Sequence, residues 1–563
     1  MLIMSWEEFN KVPHTINGVI DKWAEEKPDK VALIFYDTEK KYTFKEFRDA
    51  ITIMAFKLYN LGFRKGDIIA TSLPFLYEHI VLGYACAKLG VMWCPMDLRL
   101  KPPEIMRNLS LLQEKCKMYC HLGKTSAANF GMIGAAVMKN NPWLEYVVQF
   151  STPDDKYRKG VTPAFKIMQE AQKEFQEAQT NSEKMKAFLA ECDKVGEDDP
   201  ILIIFTTGST GYPKPAMLIN KGITCQNMCL AKGLHSGVDD IMLVNLPPSH
   251  VGGTTEQFMT PIFNGGGVAV LHIFDPAKSL DAIQKYQVSI MGQIPALFVM
   301  EWRLPNFEEY DLGSLKYAIA AGQPVDKPFL ERLTTMAPNL FTGLGLTETS
   351  GFCSYTPTDL SLDEFTGTLG FDFPIYPMSI RNPMKENGSA GDELVRGEIG
   401  EICYKGPQTF LGYFGNEEAT RKTLSSDGYL YTGDMGYIDE KGLHLEGRRK
   451  FLIKPKGYQV FPPEVEAYIA ELPQIEFVGV IGAKHEVFTE GVAAYIKLKE
   501  GETLTEQEVM DHCKGMASYK RPSMVIFVDE FPLNRVAKTD YMALQSRVDD
   551  DIKEARSHGG WDT

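Results

Sequence analysis

Residues 201–220 read ILIIFTTGSTGYPKPAMLIN, and the reading of this stretch decides the fold. Its first six residues, Ile201–Thr206, are apolar or β-branched and predict a short buried strand. The strand runs into Thr206-Thr207-Gly208-Ser209-Thr210-Gly211-Tyr212-Pro213-Lys214. Gly208 and Gly211 let the backbone turn tightly and approach a ligand. The hydroxyls of Thr206, Thr207, Ser209 and Thr210, with free backbone N–H groups, suit phosphate oxygens, and Lys214 adds a positive charge. A Walker A loop needs Gly before its lysine and Ser or Thr after it. Pro213 and Pro215 stand in those places, so that reading fails twice. The plain alternative is a polar surface turn after a core strand.

Outward from the loop, the N-terminal side alternates strand and helix. Val31–Phe35 and Ile68–Ser72 predict strands, and Thr43 with Glu46 three residues on predicts a helix cap. A helix over Tyr77–Leu89 stops at Gly90, and strand Val91–Pro95 follows. This rhythm predicts a parallel sheet with helices on both faces. Phe165–Cys192, rich in Glu, Lys, Gln and Ala, predicts a solvated surface helix or helical hairpin with no chemistry. On the C-terminal side, 223–300 repeat the α/β pattern, interrupted by Leu246–Gly253, LPPSHVGG. Leu315–Pro324 is a strand closing on the turn Gly322-Gln323-Pro324. Residues 367–447 predict a small β-rich region. Beyond it, helix Pro463–Ala470, strands Phe477–Ile481 and Val492–Leu498, helix Glu506–Cys513 and strand Ser523–Phe527 predict a compact α+β domain.

Composition narrows the class. The 563 residues exceed one compact domain. Apolar content of 44% and charged content of 24% are those of a soluble globular protein. A formal charge of −15 argues against general nucleic-acid binding. Ten cysteines are scattered without zinc spacing, so core thiols in a reducing, cytoplasmic setting are expected. The start, MLIMSWEEFNKV, lacks signal-peptide features, and no apolar run approaches the ~20 residues that span a bilayer.

Five further strings stand in order after the loop: LPPSHVGG at 246–253, LKYAIAAGQP at 315–324, FTGLGLTETSG at 341–351, GYLYTGD at 428–434 and GRRKFLIKPKGYQVFPPEVE at 447–466. Together with 201–214 and the ending PLNRVAKTDYMAL at 532–544, they resemble the adenylate-forming superfamily of acyl-CoA synthetases, peptide-synthetase adenylation domains and beetle luciferases. The resemblance runs from about Val31 to Leu544 and is most like an AMP-forming acyl-CoA ligase. The segment after Gly447 is similar to the version in 4-coumarate–CoA ligases and luciferases, with Lys450 in the hinge place. Three positions depart from the pattern: Leu344 replaces an aromatic residue, Ala537 replaces a glycine, and the 322–324 turn lacks a second Gly and Ala. Gly397–Gly406 resembles a family hairpin.

The resemblance implies an α/β fold. Two α/β subdomains and a small β-barrel form a large N-terminal domain, 1–449, followed by a small mobile α+β domain, 450–563. It implies ATP, Mg²⁺ and coenzyme A as cofactors, a small-molecule carboxylic acid as substrate, and a monomer or homodimer. Thr206–Gly211 and Lys214 would hold phosphates, Gly322, Gln323 and Pro324 would form the turn that stacks on adenine, and Gly345 would be a further cofactor-binding residue. Thr347 would donate to a phosphate, and Glu348 would hold the metal. His250 would line the acyl pocket, with Gly252 and Gly253 leaving space beside it. Asp434 would take the ribose diol, and Arg448 the ribose or phosphate. Lys454, Lys456 and Gly457 would serve thioester formation, and Lys538 would be the catalytic lysine. The pocket, expected near 250–253, 292–295, 320–323 and 345–351, is small and apolar, which suits an aromatic, alicyclic or medium-chain acid. A carrier-protein-loading enzyme, a luciferase-like oxygenase and a non-catalytic binding protein are the alternatives. The last would be expected to lose Glu348, Asp434 or Lys538, and all three are present.

Overall fold

The computed structural model describes residues 6–125, 128–152, 154–206, 213–322, 325–455, 458–485, 489–533, 539–557 and 561. Strands covered on both faces carry unbroken apolar sequence instead of alternation. Ile68–Ser72, Met92–Pro95 and Ile290–Gln293 are accordingly buried at every residue. The chain divides into two compact units. One comprises Met1–Thr207, Pro213–Met378 and Tyr404–Leu430; the other is built mainly from Ser379–Cys403 and Tyr431–Thr563.

The first unit contains two large sheets. One has seven strands in the order Asn339–Phe341, Tyr317–Ala320, Ile290–Gln293, Ile241–Val244, Gly267–Val270, Val31–Phe35 and Lys41–Thr43. All its pairs are parallel except the last. The other has eight strands, and at one side the antiparallel strands Gly412–Tyr413, Pro215–Ile219 and Pro200–Phe205 lie next to one another. The predicted cap is present: Thr43 Oγ1 accepts from Glu46 N–H at 3.2 Å, and Glu46 Oε2 accepts from Thr43 N–H at 2.8 Å. Gly90, at φ +68°, follows the helix Tyr77–Lys88.

The charged segment forms the helices Ala164–Ala178 and Ser182–Cys192. It is a hairpin, as read, but its inner side is bound to the protein. Lys57, 4% exposed, pairs with Glu170 at 2.8 Å and Glu174 at 2.5 Å. Phe56 packs edge-on to Phe175 and Phe188.

Two expectations about the second unit are corrected. The strands Met378–Arg381, Gly400–Tyr404, Leu430–Asp439 and Gly442–Arg448 form an open four-stranded sheet in that order, not a closed barrel. The first and last are its edges, and a filled barrel takes roughly eight strands. Nor is Gly397–Gly406 a hairpin. It contributes the single strand Gly400–Tyr404, which lies between two strands distant in sequence. Past the turn Arg449–Phe451, the antiparallel strands Ile475–His485 and Thr489–Leu498 are joined in parallel by Met524–Phe527. Val465, Ile469 and Val509 pack in one apolar cluster of this part of the chain; Leu544, Val548 and Trp561 pack in another.

Candidate active site

Ligands in open α/β sheets bind at the carboxyl ends of parallel strands. The seven-stranded sheet places four of the expected segments there. Residues 245–253 follow the strand Ile241–Val244, residues 294–295 follow Ile290–Gln293, Ala321–Gly322 follow Tyr317–Ala320, and 342–348 follow Asn339–Phe341. Gly322 is exposed at φ +87°, a left-handed turn that suits glycine. Gln323 and Pro324 lie outside the described residues.

The organising loop leaves a closed neck. Pro200–Phe205 and Pro215–Ile219 are antiparallel, with Phe205 opposite Pro215. Thr206 N–H donates to Lys214 O at 2.9 Å, and Lys214 N–H donates to Thr206 Oγ1 at 3.3 Å. Thr206 is buried and fastens the neck. Thr207, Gly208, Ser209, Thr210 and Gly211 lie outside the described residues.

Lys214 Nζ sits 4.9 Å from the centroid of the Tyr413 ring, a cation–π contact. The Tyr413 hydroxyl donates to Glu348 Oε1 at 2.6 Å. One tyrosine thus joins the phosphate-loop lysine to the carboxylate read as the metal ligand. Gly412 and Tyr413 pair with Met217 and Ala216, which fixes the ring beside the neck. Phe410 N–H also donates to Glu348 O at 2.9 Å. Nothing in the sequence reading singled out Tyr413; a lone aromatic in a β-rich stretch looks like core.

Gly345–Leu346 pairs antiparallel with Gly351–Phe352, so Thr347 and Glu348 occupy the tip of a small hairpin. Ser350, at φ +58°, turns the chain back. Buried Thr255 Oγ1 donates to Ser350 O at 2.7 Å, and buried Gln408 Nε2 donates to Thr349 O at 2.8 Å. Glu348 is half-buried, and its Oε2 has no partner among the described residues. A carboxylate with one oxygen steadied and the other available suits Mg²⁺, a hard cation that prefers oxygen ligands.

Half-buried His250 precedes an eight-residue π-helix, Gly252–Met259, a conformation frequent at functional sites. The glycines beside it differ. A Cβ on Gly253 would stand 2.3 Å from Pro247 O and 2.7 Å from Leu246 O, so this glycine is required by backbone packing and leaves no room for an acyl group. A Cβ on Gly252 would meet only side chains, Leu246 at 3.1 Å and Glu256 at 3.6 Å.

Behind this helix runs a buried polar chain that sequence reasoning missed. Gln257 Nε2 donates to Asn245 Oδ1 at 3.0 Å, Asn245 Nδ2 to Gln293 Oε1 at 2.7 Å, and Gln293 Nε2 to Glu301 Oε2 at 2.6 Å. Gln257 Oε1 accepts from the N–H groups of Asn245 and Leu246. These bonds tie two strand ends to the π-helix, since buried amides must be satisfied. Burial pushes the Glu301 carboxyl up to about 8. The signal was present as a polar residue ending an apolar strand, Asn245 after Val244 and Gln293 after Gly292.

In the second unit, Asp434 is 4% exposed and faces Arg448 across the ladder. Arg448 Nε lies 2.7 Å from Asp434 Oδ1. The structure therefore brings together two residues expected to hold nucleotide. Lys450 is exposed, with Nζ 2.8 Å from Met542 Sδ. Exposed Lys454 donates its N–H to Glu490 Oε2 at 2.5 Å. Lys456, Gly457 and Lys538 lie outside the described residues.

Residues 20–414 match the family described as AMP-binding enzyme, and residues 464–538 match the AMP-binding enzyme C-terminal domain. The chain belongs to the AMP-binding enzyme family. It is 32% identical over 353 residues to 4-coumarate–CoA ligase 2 of Nicotiana tabacum, which covers 60% of this chain and 64% of that one. Over 555 residues it is 26% identical to 4-coumarate–CoA ligase 1 of Solanum tuberosum, covering 96% of this chain and 92% of that one. The ATP-bound crystal structure of MatB from Rhodopseudomonas palustris superimposes with a TM-score of 0.76 at 24% identity, covering 95% of this chain and 99% of that one. Family and relatives make the chain an enzyme of the AMP-forming CoA ligase class. Its partners are a carboxylic acid, ATP with Mg²⁺, and coenzyme A. Among the described residues, no helix is long and apolar enough to cross a membrane.

Proposed function

We propose that the chain activates an aromatic, alicyclic or medium-chain monocarboxylic acid with MgATP and transfers the acyl group to coenzyme A in the cytoplasm. The observation that carries this reading is the convergence of Lys214, Tyr413 and Glu348 beside the neck of the phosphate loop. The acid's carboxylate attacks the α-phosphate, pyrophosphate leaves, and an acyl-adenylate forms. The thiol of coenzyme A then attacks the acyl carbon, and AMP leaves. No protein nucleophile is needed, so rate comes from positioning and charge neutralisation.

In this reading Glu348 holds Mg²⁺ and Tyr413 orients Glu348. Bound Mg²⁺ supplies positive charge to the phosphate oxygens. Lys214 and Thr347 meet phosphate, Asp434 and Arg448 take the ribose, and His250 lines the acyl pocket. Lys538, in the domain 450–563, bridges carboxylate and α-phosphate in one pose and turns away about Lys450 for the thioester step. Ten free cysteines support the reducing compartment.

Chromatography of reactions with acid and ATP, with and without coenzyme A, tests the reading. Acyl-CoA formed only when coenzyme A is present supports it. Adenylate that loads only a carrier protein, or that consumes O₂ with light, assigns one of the other two classes. Lys538→Ala is expected to slow adenylate formation by about 10²–10³ while sparing conversion of supplied acyl-adenylate. Equal losses in both steps would reject the two-pose mechanism.

A further inference from the structure

The acyl pocket was expected to be small and apolar, yet the π-helix brings a carboxylate to it. Glu256 stands beside Gln257 but reaches a different segment. Gln257 bonds to 245–246 and 292, whereas the Glu256 carboxyl lies against the hairpin 345–352. Its Oε1 is 2.8 Å from where a Cβ on Gly351 would be and 3.4 Å from one on Gly345; its Oε2 is 3.6 Å from one on Gly252. These glycines belong to two of the segments read as the acid pocket. The N–H of Phe352 donates to the carboxyl, and no Lys, Arg or His pairs with it among the described residues. Burial pushes it up to about 8.

Glu256 is half-buried, and placing a carboxyl among glycines, backbone and the Gln226 amide is costly unless a partner compensates it. A neutral donor such as a hydroxyl needs only a neutral acceptor, and an amide or serine would serve it at far lower desolvation cost. A cation is the partner that compensates a desolvated carboxylate. Of the neutral amides nearby, Asn245, Gln257 and Gln293 are engaged with one another. Gln226, whose Cδ is 3.1 Å from the same Gly351 Cβ position, accepts from Asn227 at Oε1 and carries a buried Nε2 without a partner among the described residues, a neutral donor that does not balance a carboxylate's charge.

We propose that Glu256 is a specificity residue of the acyl pocket and that the preferred acid carries a basic amine at the end remote from its reacting carboxylate. This rests on the ligase reading above and narrows its substrate class. On binding, the ammonium pairs with ionised Glu256, and the carboxyl proton passes to solvent. No bond of the acid is made or broken at this end.

Pyrophosphate exchange with matched acids tests it. Each pair replaces an aminomethyl group by ethyl: 4-(aminomethyl)benzoate against 4-ethylbenzoate, 4-(aminomethyl)cyclohexanecarboxylate against 4-ethylcyclohexanecarboxylate, and 8-aminooctanoate against nonanoate. The wild-type enzyme is expected to favour the amine of at least one pair by on the order of a hundredfold in kcat/KM, because a site built for a polar group rejects the analogue lacking it. Glu256→Gln keeps the shape and is expected to reduce that preference at least about tenfold, mostly through KM. Glu256→Leu is expected to turn the preference toward the ethyl acids. The wild-type ratio needs no variant, so a variant that fails to fold does not remove the test. Exchange with the ethyl acids equal to or better than with the amines in every pair overturns this proposal and leaves the ligase reading standing. Exchange with no acid of any kind overturns the ligase reading and this proposal together.

Discussion

The hairpin at 345–352 is flanked by two glutamates that share a residue type and little else. At its tip, half-buried Glu348 accepts from the Tyr413 hydroxyl, and the Tyr413 ring carries the Lys214 ammonium. Along its strands, Glu256 accepts from the Phe352 N–H and is bordered by Gly345, Gly351 and the Gln226 amide. The first setting is polar and holds a cation nearby, which suits the metal-ligand role proposed for Glu348. The second is partly desolvated and has no cation paired with it among the described residues, so the same group favours its neutral form until a positive partner arrives. Environment, more than residue identity, separates the two roles.

The largest effect is expected at the tip. Glu348→Gln keeps the shape and removes the charge, and pyrophosphate exchange should fall by about 10²–10³ with a steeper requirement for Mg²⁺. Unchanged rate and unchanged Mg²⁺ dependence would merge the two sides of the comparison. On the flank, Gly351→Ala puts a Cβ at φ +129° against Glu256. A loss of about 2–3 kcal/mol in urea unfolding is expected, from strain and overpacking together.

Glu301 provides a control, because it is also a desolvated carboxyl but belongs to a buried chain of amides. Its folded value of about 8 lies above the ordinary 4.5. The folded state therefore keeps a proton that the unfolded state releases. Its contribution to stability is full below about 4.5 and is lost as pH rises through about 8. Glu301→Gln should gain about 1–2 kcal/mol relative to wild type on going from acid to alkaline pH, measured by urea melts on both sides of that window. A flat difference across pH would show that Glu301 is already ionised, and would weaken the parallel with Glu256.

The smallest effect is expected from Tyr413→Phe. It deletes the 2.6 Å bond to Glu348 and keeps the ring under Lys214. Exchange should fall about threefold to tenfold, the size of one hydrogen bond. A loss as large as that of Glu348→Gln would move the tyrosine from an orienting role to direct contact with the reacting groups.

Much of this protein was legible in its sequence. Val31–Phe35 and Ile68–Ser72 are the strands that their β-branched runs predict, and Thr43 with Glu46 forms the predicted cap. The order of motifs named the family, and with it the candidates Glu348, Asp434 and Lys214. Such signals lie within a few residues of one another, where backbone sterics and capping bonds act. Tertiary structure decided what joins distant segments. Tyr413 reaches Glu348 across 65 residues, and Lys57 reaches Glu170 across 113. The hairpin read at Gly397–Gly406 became one strand, and the barrel an open sheet, because strand partners are chosen by long-range burial and not by local pattern. The hairpin 345–352 acquired Glu256 as a neighbour for the same reason. A carboxylate three residues beyond a glycine pair carries no local mark of where it will point, and only the packing of the π-helix on the hairpin gives it that place.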